Sequence, residues 1–330
     1  MDNYTELAPR IRAGLCILGA CIGLFGIIGN ITAFRGFKKQ KKNTSTTFLF
    51  KSLAIADTFV IVTINLTYLK IYLVSYLKPH DFAFMNILFE VRQMAILSSN
   101  GITVLLTVTR FIAVCFPLKT VRLCSITRVR YYLVATIMFS IICFTPEIVI
   151  KRILFLNQFV TYKEISISSF LMYLIIVDLL VFCVIPLLII TSLTIILIIK
   201  LKFMKKFPQT AIRANRQRNS ATKVLIVVNI VFIVCTLPWL VSILLWFTGY
   251  IVYALIVGWA KYFFHVVNSS FNFLIYMLFS KQYRKVVMQN CQCLCLHTQG
   301  EGTTIRENIR AMNRGQQKDN CNNANKETRL

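Results

Sequence analysis

Residues 46–74 read TTFLFKSLAIADTFVIVTINLTYLKIYLV, an apolar run interrupted deep inside by a single acid, Asp57. A helix of about 20 residues crosses the ~30 Å hydrocarbon core of a bilayer, so this stretch is long enough to span it. Six further stretches of the same character lie at 13–34, 83–115, 131–151, 170–200, 221–247 and 253–279. Helices that are apolar on every side have no use in a soluble domain, and seven of them make one membrane domain. The expected fold is all-α: a polytopic bundle of seven transmembrane helices over 13–279. Segment 1–12 stands outside it, a short amphipathic membrane-surface helix covers 280–290, and a largely disordered cytoplasmic tail covers 291–330. An odd number of crossings leaves the termini on opposite faces.

Charge gives the orientation. The formal net charge of +25 among 330 residues invites a nucleic-acid reading, but the charges cluster in alternate loops. Arg35, Lys38, Lys39, Lys41 and Lys42 follow the first span; Lys119, Arg122, Arg128 and Arg130 follow the third; Lys202, Lys205, Lys206, Arg213, Arg216 and Arg218 follow the fifth. No Asp or Glu occurs from 91 to 146 or from 179 to 300, whereas the opposite loops mix both signs. By the positive-inside rule the N-terminus is extracellular and the C-terminus cytoplasmic, with the bilayer and not a nucleic acid as the partner. The first span is too long for a signal-peptide core and is read as retained. Asn3 heads the sequon expected to be glycosylated outside. None of the 11 cysteines falls in an outer loop, so no outer-loop disulfide is expected.

Polar groups at membrane depth are costly and face the bundle interior. Asp57 lies about 16 Å from the basic end of its span, and Ser99 sits at similar depth in span three. Asn268 and Asn272 are one turn apart on span seven, with Tyr276 a turn further. A carboxylate ringed by a hydroxyl and two amides suits sodium with waters, or a protonation switch. A hydrogen-bonded plug holding the helices together is the other reading. Arg92, Ser99, Thr103 and Arg110 form one stripe on span three, fitting an axial helix that links an outer pocket to the inner face; snorkelling of both arginines is the alternative. Pro146, Pro186 and Pro238 permit kinks in spans four, five and six.

In order and spacing these residues resemble the rhodopsin-like (class A) G-protein-coupled receptors. The resemblance rests on Gly29-Asn30, on Leu53-Ala54-Ile55-Ala56-Asp57, on Arg110 followed by Pro117-Leu118, and on Pro186. Two further stretches carry it: Phe232-Ile-Val-Cys235-Thr-Leu-Pro238 and Asn272-Phe-Leu-Ile-Tyr276. It implies a plasma-membrane receptor, not an enzyme, that passes an extracellular signal to a heterotrimeric G protein. Arg110, Phe232, Pro238 and Tyr276 are the implied coupling and switch residues, and Asp57, Ser99, Asn268 and Asn272 the sodium or coupling site. The departures are marked. Thr109 replaces the acid before the arginine, and Arg218 stands where an acid would close an ionic latch. Thr236 replaces the switch tryptophan, Phe273 the span-seven proline, Thr136 the span-four tryptophan and Thr194 the span-five tyrosine. A missing latch predicts high basal signalling; missing switch residues predict poor activation.

The resemblance puts the ligand pocket at Arg92, Gln93, Asp178, Lys261 and His265. Monoamine receptors carry an acid where Arg92 stands, so a carboxylate or a peptide bridging Arg92 and Asp178 is favoured, against a plain water-mediated pair between the two. Phe279, Tyr283 and Val286 share one face of the expected surface helix, and Cys291, Cys293 and Cys295 after it are candidates for palmitoylation. With His297 those cysteines make a cramped set of zinc ligands, a poorer reading. The ending Glu327-Thr328-Arg329-Leu330, through Thr328 and Leu330, resembles a ligand for a PDZ-domain protein. A seven-helix binding or decoy protein without coupling, and an ion-coupled transporter or channel built on Asp57, are the rival functions.

Overall fold

The computed structural model describes residues 2–40, 44–73, 81–156, 176, 178–204, 212–280, 283–284 and 287–288. The chain divides into a unit of residues 1–281 and a second of 282–330. In the first, seven helices are long and apolar enough to cross a membrane. This is a seven-helix bundle, and the protein is a multi-pass membrane protein. Span one lies in the helix Asp2–Lys38, span two in Ser45–Leu73 and span three in Asp81–Cys115. A short helix, Pro117–Leu123, precedes span four in Ile126–Leu156. Span five is Ile185–Met204, span six lies in Ile212–Phe247 and span seven in Ile251–Phe279.

Several helices outrun the stretches read from hydropathy. The helix of span one begins 11 residues before the expected 13, at Asp2, and that of span six starts at Ile212 rather than 221. Hydropathy marks where side chains prefer lipid, whereas backbone hydrogen bonding carries a helix on into polar sequence. Span five departs in kind: of the helix expected over 170–200, residues 170–175 and 177 lie outside the described ones, and the described part opens as a π-helical segment, Asp178–Val184, running into Ile185–Met204. Pro186 has no N–H to give, and the wider turn immediately before it is where the ladder absorbs that loss. Pro146 and Pro238 do lie inside helices. The turn between spans six and seven is closed by Gly249 at φ +83, a conformation that a side chain would strain.

Threonine and serine are common in these helices because their hydroxyls need no outside partner. Thr58, Thr63 and Thr67 each donate to the carbonyl four residues back at 2.8 Å, as does Thr145 in span four. In lipid that return bond satisfies a group which would otherwise be orphaned. The core joins Cys16, Ile64, Tyr68, Ile96, Phe144, Trp239 and Val266 across six of the spans. Outward faces carry exposed Leu24, Ile28, Leu188 and Leu278, as a lipid-facing belt requires. Span one packs closely on span seven: a Cβ on Gly29 would stand 2.9 Å from that of Phe273, and one on Gly26 would overlap Ser270. Small residues there let backbones approach, which is where packing energy between lipid-embedded helices comes from.

Candidate functional site

Asp57 is fully buried at the centre of the bundle. Its Oδ1 accepts the Ser99 hydroxyl at 2.6 Å and its Oδ2 accepts the Asn272 amide at 2.7 Å, joining spans two, three and seven. Ser269 also hydrogen-bonds to the carboxyl group. The Asn30 amide reaches the Ser269 carbonyl at 3.1 Å and ties in span one. Asn268, expected in this ring, is buried but supplies none of these bonds; Ser269 takes that place, one residue on. Asn272 presents its amide to Asp57, and its Oδ1 stays buried without a hydrogen-bond partner. Carboxylate, hydroxyl and amide oxygens form an all-oxygen donor set of the kind hard cations take.

Toward the pole opposite the basic loops, Arg92 is 2% exposed and donates to the Tyr262 hydroxyl at 3.0 Å. Its guanidinium lies 4.0 Å from the Tyr262 ring centre and 4.3 Å from that of Phe89, while its Nε has no partner. A cation between two aromatic faces is held by the rings' electrostatic quadrupoles. Lys261 caps the Trp239 ring at 4.7 Å and the Tyr262 ring at 5.1 Å, and the Trp239 ring meets that of His265 edge-on at 4.9 Å. Gln93 is buried on the same helix. Arg92, Lys261 and His265 thus share one aromatic box. The side chain of Asp178 lies outside the described ones; its backbone opens the π-helical segment.

Span three carries the stripe onward. The Thr103 hydroxyl donates to the Ser99 carbonyl and that of Thr107 to the Thr103 carbonyl, all buried. Thr107 also donates to Asn229 Oδ1 at 3.2 Å, and Asn229 Nδ2 donates to the Thr194 hydroxyl at 2.8 Å. That relay joins spans three, six and five, and no more than 3% of any member is exposed. Arg110 is half-buried beside Cys124, whose thiol points to the Thr109 carbonyl. The Thr109 hydroxyl, standing where the resembled family has an acid, turns back to the Leu106 carbonyl at 2.9 Å. Phe232 is buried, and buried Tyr276 lies edge-on to Phe37 and Phe50 at 5.2 and 5.1 Å.

Sequence reading passed over Trp239, Tyr262, Phe89, Ser269 and Asn229. A signal existed for Asn229, an amide inside an otherwise apolar run, where the cost of a polar group in lipid marks it. Trp239 stands three residues beyond Thr236, whose hydroxyl is spent on the Phe232 carbonyl at 2.7 Å. Helical rotation across those three residues, from Thr236 to Trp239, still leaves the ring fully buried in the core. For Tyr262, nothing in the sequence indicates which face of span seven meets span three. Cys291, Cys293, Cys295, Thr328 and Leu330 lie outside the described residues, as does the side chain of Asn3, whose backbone belongs to the first helix.

Comparison with known proteins agrees with this geometry. The family model described as 7 transmembrane receptor (rhodopsin family) matches residues 29–299. A curated relative, the FMRFamide receptor of Drosophila melanogaster, is 26% identical over 316 residues, covering 87% of this chain and 56% of that protein. The chain therefore spans little more than half the length of the relative it matches.

Proposed function

The chain belongs to the 7 transmembrane receptor (rhodopsin) family, and on that premise we propose that it receives an extracellular peptide and activates a heterotrimeric G protein. A receptor of this family is not an enzyme. The observation that carries the reading is a series of polar groups along the bundle: Arg92 on Tyr262 toward one end, Ser99 and Asn272 on Asp57 at the centre, and then, through the Thr103 hydroxyl on the Ser99 carbonyl, Thr107 with Asn229 and Thr194. Such a line couples two ends of a bundle when its bonds differ between two helix arrangements. The ligand pocket in this reading is the aromatic box of Arg92, Lys261 and His265, with Gln93 beside Arg92 on span three and Asp178 retained as a candidate from the sequence alone. A peptide is favoured by the relative's name and by two aromatic-bound cations that suit acceptor groups.

The basic loops face the cytosol of a plasma-membrane protein in this reading, with Arg110 at the transducer contact. Asp57, Ser99 and Asn272 Oδ1 would hold a sodium ion, which supplies a charge that binds the three helices in one arrangement. Glycosylation at Asn3, palmitoylation at Cys291, Cys293 and Cys295, and PDZ-domain capture of the last residues complete the expected biology. The relay through Asn229 does the work of the missing ionic latch: it ties span six, on the cytoplasmic side of Pro238, to spans three and five. Low basal activity follows, in place of the high activity that the absent latch alone predicts.

The deciding experiment is nucleotide exchange on G proteins in cells expressing the chain, against a library of short peptides. Agonist-dependent exchange is expected. A peptide that binds without exchange makes the chain a decoy, and ion flux in reconstituted vesicles makes it a transporter.

A further inference from the structure

Spans two, three and four enclose a groove of about 410 Å³ that opens to the membrane, walled by Ile55, Phe59, Ala95, Ile102, Leu133 and Ile137. Its polar wall groups are Ser98 and Ser52, and the Ser52 hydroxyl is spent on the Phe48 carbonyl at 3.2 Å. One helical turn nearer the basic end the character changes. Arg130 is exposed, and its guanidinium stands 5.7 Å over the Phe48 ring. Phe48 lies four residues before Ser52 and Arg130 three before Leu133, so both continue the groove's own walls. No acid occurs between 44 and 56 or between 91 and 146 to answer that charge. Neighbouring Arg128 is engaged with the Arg122 carbonyl.

We propose that this groove is a binding site for an anionic phospholipid of the leaflet at the basic end. One acyl chain lies between spans two, three and four, and the phosphate-bearing headgroup meets Arg130. An apolar trough ending in an exposed guanidinium at the membrane surface matches a molecule with a long apolar part and a negative end. A sterol or a zwitterionic lipid fills the trough but leaves the arginine unanswered. In the orientation proposed above this leaflet is the cytoplasmic one, where anionic lipid is concentrated. The site also reaches the centre of the bundle. Ala56 and Ser98, both in the groove wall, are chain neighbours of Asp57 and Ser99, which are hydrogen-bonded at 2.6 Å. A chain in the groove therefore bears on the backbone carrying that bond.

The test uses the full chain in lipid nanodiscs with a phosphatidylserine that carries a photoreactive diazirine in one acyl chain. The matched phosphatidylcholine is the comparison. Cross-links are expected within 52–59, 94–102 and 133–141, about fivefold stronger for phosphatidylserine. Arg130→Gln should bring phosphatidylserine labelling down to the phosphatidylcholine level. Ala95→Phe, which fills the groove, should remove both, while labelling of the span-one face at Leu24 and Ile28 reports that the bundle is intact. Equal labelling by the two lipids, or full phosphatidylserine labelling in Arg130→Gln, overturns the proposal. So does loss of the label to cholesterol, which makes the occupant a sterol. No agonist or G protein enters the measurement, so its failure and failure of the receptor reading are separate results.

Discussion

The amide of Asn229 accepts one hydroxyl and donates to another, and so holds three helices through a single side chain. Interhelical hydrogen bonds in membranes average about 0.6 kcal/mol each, so the two together bias the helix arrangement by about 1 kcal/mol. Asn229→Leu should therefore raise agonist-free nucleotide exchange by roughly fivefold. An unchanged basal rate at equal surface expression would mean that the relay restrains nothing. At Arg92 the expected loss is larger, because a hydrogen bond to a charged group is worth about 1.5–3 kcal/mol. Arg92→Gln should weaken an identified peptide agonist by at least about tenfold in a concentration–response assay, with the maximal response kept. Asp57 was legible from a simple rule, that an acid in lipid has a use, and Ser99 and Asn272 followed from depth. The choice of Ser269 over Asn268 was not, because it turns on a rotation of span seven that composition does not encode. For the sodium site, sodium chloride in place of potassium chloride should raise the thermal unfolding midpoint of the wild type. At a salt concentration ten times the dissociation constant the gain is about 1.4 kcal/mol, and Asp57→Asn should abolish it.

Among the elements, span four shows how a departure from the family can be compensated locally. Thr136 occupies the place of a tryptophan, and a Cβ on Gly101 of span three would collide with its methyl group. A glycine on one helix and a small β-branched residue on the other allow a close crossing that a large ring forbids. Restoring the family residue should therefore harm this protein: Thr136→Trp is expected to cost about 1–3 kcal/mol by overpacking. Thermal unfolding in nanodiscs measures it, and a stabilised variant would show that the crossing has room. Hydropathy located every span, since 20 apolar residues leave little choice. It missed the π-helical start of span five because Leu, Val and Phe in that segment suit either turn geometry, and only the register before Pro186 distinguishes them.

For the whole molecule, orientation rests on the basic loops, and tags on the two termini test it in intact cells. Only the N-terminal tag should stain before permeabilisation; staining of the C-terminal tag alone would invert the receptor, and staining of both would rule out an odd number of crossings. Nothing in seven hydropathy maxima says which helices touch, and the polar line from Arg92 to Thr194 is legible only once they do. The relay that closes this line is neutral throughout: two hydroxyls and one amide. An ion-pair latch at a cytosolic surface weakens as ionic strength rises and fails when its acid is protonated. A buried neutral tie has no charge for counterions to screen and no proton to gain. The resting state of this protein should accordingly hold the same set point through swings of cellular salt and acidity that would loosen a conventionally latched relative.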